Sequence, residues 1–332
     1  MKTMKFLQAA LIPVATLLYS CNGDGTTPSE IQVEGIKLDK SEILAFVGDE
    51  IKLEAILTPA DADNATIEWS SSDENIATVD STGLVVLRMQ GEASIYATCN
   101  GLYDQCDLTS VFVEVGQYYC SDGTFSDEYD PQKAIAAVFY TRQHPNDLSD
   151  YSGTGIRRQK CHGYAVALHD AIDSYCIWGP YDILECYPKD SEGNPIDNFS
   201  GNTSDTDWSG YLYTQMIYEA AQKEEGLWGN DVLNDYAACW YAMNYEQKAH
   251  APENSSGWFL PSGSQLWEIF ENIEILDRQQ ETALVENDWY WSSSEYCDIP
   301  WEGANFLNTQ QGSIEAYDKF KGAMLVRSVI AF

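Results

Sequence analysis

Nucleophile and base stand side by side in this chain at Cys161-His162, and a second imidazole adjoins a carboxylate at His169-Asp170. Thiol or imidazole catalysis needs the two groups within hydrogen-bond reach. Neighbours on a strand point to opposite faces, so neither pair forms a dyad unless the segment turns. His162 and His169, seven residues apart, also fall on opposite faces of one strand. The chain contains no C-x-x-C, H-x-x-x-H or H-E-x-x-H, so transition-metal spacing is missing and no metal site is expected. Paired carboxylates carry no information where 52 Asp and Glu are available, since most belong to a solvated surface. Oxygen ligands for a hard cation concentrate in residues 197–207 and 122–130, where the cofactor would be calcium. Neither stretch follows the D-x-[DN]-x-[DN]-G pattern, and polar loops capping the next helix account for the same residues. Asp207 is a cap candidate for a helix opening at Ser209. The expectation is a protein that is not an enzyme.

The elements that must position any site divide the 332 residues into two domains. With 44% apolar residues and 21% charged ones the chain can bury a core, and its formal charge of −34 repels nucleic acid and anionic membrane surfaces. Lys2 and Lys5 precede an apolar stretch at 6–18, too short to span a bilayer and suited to a signal peptide over residues 1–20. It ends in Leu18-Tyr19-Ser20-Cys21, which resembles a bacterial lipobox; that resemblance implies a lipid on Cys21 and an outer-membrane, cell-surface lipoprotein. Residues 21–30 then form a flexible leash. Eight further cysteines remain, an even number that suits an exported chain. Cys99 and Cys106 flank a turn, which suggests a bridge closing a hairpin, and Cys176 with Cys186 is a second local candidate.

Residues 31–115 read as an all-β sandwich. Apolar and charged residues alternate in Ile51-Lys52-Leu53-Glu54-Ala55 and again in Val111-Phe112-Val113-Glu114-Val115, with turn signals recurring between them. Gly35-Ile36-Lys37-Leu38, Leu57-Thr58-Pro59, Trp69-Ser70-Ser71-Ser72-Asp73, Ile76-Ala77-Thr78-Val79-Asp80 and Gly91-Glu92-Ala93-Ser94-Ile95 resemble, in consecutive order, the bacterial immunoglobulin-like group 2 domain. The resemblance implies that Trp69 plugs a core and that the domain is a spacer.

Residues 116–332 hold nine of the ten tryptophans and eighteen of the twenty-one tyrosines. Their pattern predicts an α+β domain. A helix over 209–222 has a stripe of Leu212, Met216 and Ala220, with Tyr213 and Ile217 beside it. A second helix is announced by the capping box Ser262-Gly263-Ser264-Gln265 and by Leu266, Ile269, Phe270 and Ile273. Strands are expected at 134–140, 164–168, 289–292 and 324–331.

Three motifs in this part, Gly257-Trp258-Phe259-Leu260-Pro261-Ser262, Trp289-Tyr290-Trp291-Ser292-Ser293-Ser294-Glu295-Tyr296 and Val326-Arg327-Ser328-Val329-Ile330-Ala331-Phe332, resemble the C-type-lectin-like modules related to the formylglycine-generating, sulfatase-modifying fold. That resemblance implies a ligand surface near the last strands. The family's enzymes use a cysteine pair, for which Cys239 with Cys297 or Cys161 would have to serve, and none of these aligns with the catalytic motif. The order of constant-like and idiosyncratic pieces is also similar to the variable proteins of diversity-generating retroelements. Between the last two motifs, Trp301, Asn305, Phe306, Asn308, Gln310, Tyr317, Asp318 and Phe320 form the amphipathic set that suits a paratope. The implied partner is a glycan or protein ligand. The alternatives are a structural subunit of a fimbria or surface assembly, and an enzyme of the formylglycine-generating type.

Overall fold

The computed structural model describes residues 30–63, 65–197, 205–223, 227–231, 235–276 and 288–332. Cys21, the signal peptide and residues 198–204 of the proposed calcium loop lie outside them. The chain divides between Ser110 and Val111 into two compact units.

Unit 1 contains strands β1 (Gly35–Leu38), β2 (Glu42–Phe46), β3 (Glu50–Lys52), β4 (Ala55–Thr58), β5 (Glu68–Ser71), β6 (Ala77–Val79), β7 (Leu84–Leu87), β8 (Gly91–Cys99) and β9 (Leu102–Val111). They form a four-stranded sheet in the order β2-β9-β8-β5, a three-stranded sheet β3-β7-β6 and the pair β1-β4. Leu38, Leu53, Val85, Ile95 and Leu108 are buried between them, with Trp69 half-buried against this core. Gly83, at φ +84°, makes that packing possible: a Cβ there would lie 2.7 Å from the Trp69 ring and 2.6 Å from the Leu53 carbonyl oxygen.

Two expected strands differ. Residues 51–55 are not one strand, because the chain changes sheets at Leu53-Glu54: Leu53 donates its N–H to Gly83 O, whereas Glu54 exchanges hydrogen bonds with Asp39 at the end of the β1-β4 pair. Of residues 111–115 only Val111 belongs to a strand. Phe112 is exposed, and Gly116 already bonds to Val138 of unit 2.

Unit 2 contains β10 (Tyr118–Cys120), β11 (Phe125–Ser126), β12 (Ala134–Thr141), β13 (Gly163–Asp170), α1 (Gly210–Lys223), α2 (Ala237–Met243), β14 (Trp258–Phe259), α3 (Gly263–Glu271), α4 (Ile273–Leu276), β15 (Trp289–Glu295), β16 (Gly303–Asn308), β17 (Ser313–Asp318) and β18 (Arg327–Ala331). A six-stranded antiparallel sheet runs β11-β10-β12-β13-β18-β14, and β15-β16-β17 form a second sheet. The apolar runs of β12, β13 and β18 are buried on both faces, as central strands require. Phe139, Val166, Phe259, Leu266, Ile269, Tyr290 and Leu307 join both sheets and α3 in one core.

The capping box at Ser262 forms as its sequence requires, Gln265 accepting the Ser262 N–H at 3.0 Å. The inner face of α1 is instead Gly210, Tyr213, Thr214, Ile217 and Ala221, while Leu212, Met216 and Ala220 are only half-buried. A polar contact sets this rotation: the Thr214 hydroxyl donates to Leu260 O at 3.2 Å and accepts the Leu260 N–H at 3.1 Å.

Asp207 does not cap α1. Its carboxylate turns to the N-terminus of α3, accepting the Gly263 N–H at 3.2 Å, while its main-chain oxygen accepts Ser262 Oγ and the Ser264 N–H. The cysteine expectations are also corrected. All eight described cysteines are free thiols. Cys106 stands opposite Ile95, and Cys99 opposite Leu102, so three residues of β8 lie between the two thiols' rows. Cys176 is bound to Met324, whereas Cys186 is held by Glu295 and by the Tyr213 carbonyl of α1. Among the described residues no three His, Cys, Asp or Glu side chains gather as metal ligands.

Burial raises the Asp207 carboxyl to about 7, against which hydrogen bonds from Ser294 and Gly263 act weakly. A carboxyl raised in the fold loses stability as pH climbs from its unfolded value near 3.8 toward 7. Asp207→Asn should therefore stabilise unit 2 by on the order of 2 kcal/mol at about pH 8 and give no gain at about pH 4. Urea unfolding at the two pH values checks this; equal effects at both would contradict it.

Candidate ligand-binding site

The register of β15, β16 and β17 sorts their residues onto two faces. Tyr290, Leu307 and Ile314 align across the three strands and enter the core. Trp289 with Asn308 and Ser313, Trp291 with Phe306 and Glu315, and Tyr317 with Ala304 share the opposite face. Trp291 is covered there, its indole N–H donating to Cys176 O at 2.9 Å and its ring pressed against Gly322. Trp289 and Tyr317 stay exposed, their ring centroids 6.3 Å apart.

At the end of β15 lies a fully buried ion pair. Glu295 and Lys319 have no side-chain exposure, and Lys319 Nζ is 2.5 Å from Glu295 Oε1. Glu295 also accepts the N–H groups of Leu184 and Cys186, both at 3.0 Å. Lys319 donates to Asp182 O at 2.8 Å and stands 4.5 Å over the Trp178 ring. Burial presses the Lys319 ammonium below its ordinary range, and Glu295 opposes that shift. The backbone adds to the clamp, since Trp178 donates its N–H to Lys319 O and Glu295 donates to Cys186 O. The segment from Trp178 to Cys186 is thus tied to β15 and to the turn after β17.

That clamp presents Tyr181. Its hydroxyl donates to both oxygens of Asp318, at 2.8 and 2.9 Å, and its ring lies 5.9 Å from Trp301 and 5.7 Å from Phe320. All three rings are exposed, as are Ile183 and Ile299 on the same two segments. Asp318 accepts the N–H groups of Phe320 and Lys321 and the Lys321 ammonium at 2.7 Å. Partial burial raises its carboxyl, but the bonds from Lys321 and Tyr181 outweigh burial and hold it at about 2. The cluster is an exposed apolar and aromatic surface whose polar groups already satisfy one another.

Of the residues chosen from sequence, Trp301, Asp318 and Phe320 come together here. Tyr317 sits instead beside Trp289, and Gln310 is exposed in the turn between β16 and β17. Asn305, Phe306 and Asn308 are corrected, for all three are buried. Alternation turns Asn305 to the inner face opposite Ala316, and Phe306 packs against Trp289 and Trp291. Asn308 braces its own turn, accepting the Gln310 and Gln311 N–H groups and donating to Glu315. Sequence reasoning missed Tyr181 and Ile183, although Trp178-Gly179-Pro180-Tyr181 marks a turn bearing an aromatic. Of the thiols offered for catalysis, Cys161 and Cys239 are buried, and burial pushes both well above the ordinary thiol range, while Cys297 is half-exposed.

Residues 32–109 match the bacterial Ig-like domain (group 2). An alpha-L-arabinofuranosidase of Bifidobacterium longum subsp. longum is 36% identical over 75 residues, which are 23% of this chain and 7% of that protein. A type blood N-acetyl-alpha-D-galactosamine deacetylase of Flavonifractor plautii is 32% identical over 87 residues, 26% of this chain and 11% of that protein. Both similarities fall in the Ig-like region alone, so the chain spans a small part of the relatives it matches. Among solved structures, an intimin mutant of EHEC O157:H7 is 23% identical with a TM-score of 0.21, covering 27% of this chain and 55% of that one.

The buried pair makes an asymmetric prediction. Lys319→Met leaves the Glu295 carboxylate buried without its partner and should cost about 3–5 kcal/mol in urea unfolding of unit 2. Adding Glu295→Gln, which keeps an acceptor for Leu184 and Cys186, should recover a large part of that loss. A double variant no more stable than Lys319→Met would contradict the assignment.

Proposed function

We propose that this chain is a surface-anchored, adhesin-like lipoprotein, with a lipid on Cys21, an immunoglobulin-like post and a C-type-lectin-like recognition module. The observation that carries this reading is the exposed Tyr181-Trp301-Phe320 cluster held by a buried ion pair. The convergence of the three motif segments supports the lectin-like reading. Strand β14 pairs with β18, Trp291 donates its N–H to Leu325 O beside the last motif while Leu325 donates to Trp289 O, and Ser293 donates to Pro261 O. In this reading the protein performs no chemistry.

The character of the cluster favours a protein ligand. A sugar site needs polar groups left open for hydroxyls. Here the Tyr181 hydroxyl, Asp318 and Lys321 bond to one another, leaving rings and the aliphatic surface of Ile183 and Ile299. An aromatic and aliphatic centre with a charged rim is the anatomy of a protein interface. Of the residues chosen from sequence in the idiosyncratic stretch, Trp301, Gln310, Tyr317 and Phe320 are exposed and so can vary with little effect on packing.

The test is binding of the purified protein to arrays of host and envelope proteins and of glycans. Trp301→Ala should weaken binding to a protein target by about 30-fold, and Tyr181→Ala/Trp301→Ala/Phe320→Ala should abolish it. Unchanged binding in the triple variant would put the site elsewhere. Triple-variant loss confined to glycan targets would replace the protein reading with a carbohydrate one.

A further inference from the structure

The connection between β12 and β13, residues 142–162, reverses the charge of the chain. Residues 151–169 contain Arg157, Arg158 and Lys160 and no acid, in a protein with 52 acids and 18 Lys and Arg. Arg142 stands at the neck of the same loop, where its N–H donates to His162 O. All four cationic side chains are exposed. Among the described residues Arg142, Arg157 and Lys160 form no ion pair, although acids are abundant. Arg158 Nη1 lies 2.8 Å from His162 Nε2, and because a guanidinium only donates, the imidazole accepts.

This is a built loop. Gln143 spans it, donating to Asp147 O and Ser149 O at 3.0 and 3.1 Å while accepting the Cys161 N–H at 3.1 Å. The buried Asp147 carboxylate accepts the hydroxyls of Tyr151 at 2.9 Å and Tyr164 at 2.6 Å, which fastens the loop to β13. Gly155 is pressed onto the chain at 253–255, where a Cβ would lie 1.8 Å from Glu253 O. A long, irregular and heavily braced connection is a common carrier of function. Backbone conformation adds a second, independent observation. Arg142 has φ +84° and Arg157 φ +56°, a region that glycine or asparagine enters at lower cost. Both positions are exposed, so core packing does not require arginine at either.

We infer that this loop is a second binding site, distinct from the aromatic cluster, and that it takes an acidic polysaccharide whose carboxylate or sulfate groups meet Arg142, Arg157, Arg158 and Lys160. The overall charge of −34 opposes a polyanion as dense as nucleic acid, and the loop's one phenol, Tyr151, is buried and offers no base a stacking face. An acidic protein would look for an apolar anchor, and the loop's large exposed apolar side chain is Leu148 alone. Nearby acids are Asp150 on the loop, bonded to the Ser152 N–H, Asp205 beside His144, and the exposed Glu253, whose main chain packs against Gly155. Among the described residues none of the three forms an ion pair with Arg157 or Lys160.

The experiment is a titration of the purified full chain with polygalacturonate, chondroitin sulfate, neutral dextran and poly-L-glutamate at low and physiological salt. Binding to at least one acidic polysaccharide, falling with salt, is expected, and the first two probes separate carboxylate from sulfate recognition. Arg157→Glu/Arg158→Glu/Lys160→Glu should weaken it at least about tenfold, while Trp301→Ala leaves it unchanged, so this site and the aromatic one succeed or fail separately. Arg142→Gly should weaken binding with an equal or higher melting temperature, whereas a merely structural Arg142 would give a lower one. Absence of binding to both acidic polysaccharides, indifference to the charge reversals, or binding to poly-L-glutamate at equal strength would overturn the proposal.

Discussion

A lysine and a glutamate removed from water together constrain unit 2 more than any single apolar contact. Neither charge is tolerated inside without the other, so the turn bearing Lys319 and the end of β15 bearing Glu295 must meet. The remaining capacity of both groups goes to the backbone of the segment from Trp178 to Cys186. Such a pair adds little net stability relative to well-packed apolar residues, but it specifies one arrangement, because each misplacement leaves a buried group unsatisfied. Tyr181 inherits its position from that arrangement, and Trp301 and Phe320 gain a third ring.

Local pattern made much of the scaffold legible. The capping box at Ser262 and the apolar runs of β12 and β13 are short-range signals, and each appears where its pattern places it. The differences have long-range causes. Thr214 turns α1 because Leu260, far away in sequence, offers both a donor and an acceptor. Asp207 leaves its own helix because the N-terminus of α3 comes within reach. Cys99 and Cys106 look adjacent across a turn until the register of β8 and β9 pairs each with another residue.

The site was half legible for the same reason. Choosing adaptable polar and aromatic residues between two strand motifs finds Trp301, Asp318 and Phe320, but composition alone cannot tell the two faces of β16 apart. Asn305, Phe306 and Asn308 have paratope chemistry and serve packing and turn closure instead. Tyr181 was out of view because more than a hundred residues separate it from its partners, and the bond to Asp318 joins them only in the folded chain. Unit 1 posed no such difficulty, for its matched residues lie in one uninterrupted stretch.

The role of the buried pair is tested most directly by amide hydrogen exchange at Leu184 and Cys186, whose N–H groups Glu295 accepts. If the clamp holds the segment, both amides exchange as slowly as those within β16, and both lose that protection in Lys319→Met. Exchange at the rate of exposed loop amides in the unaltered protein would contradict a fixed Tyr181-Trp301-Phe320 surface.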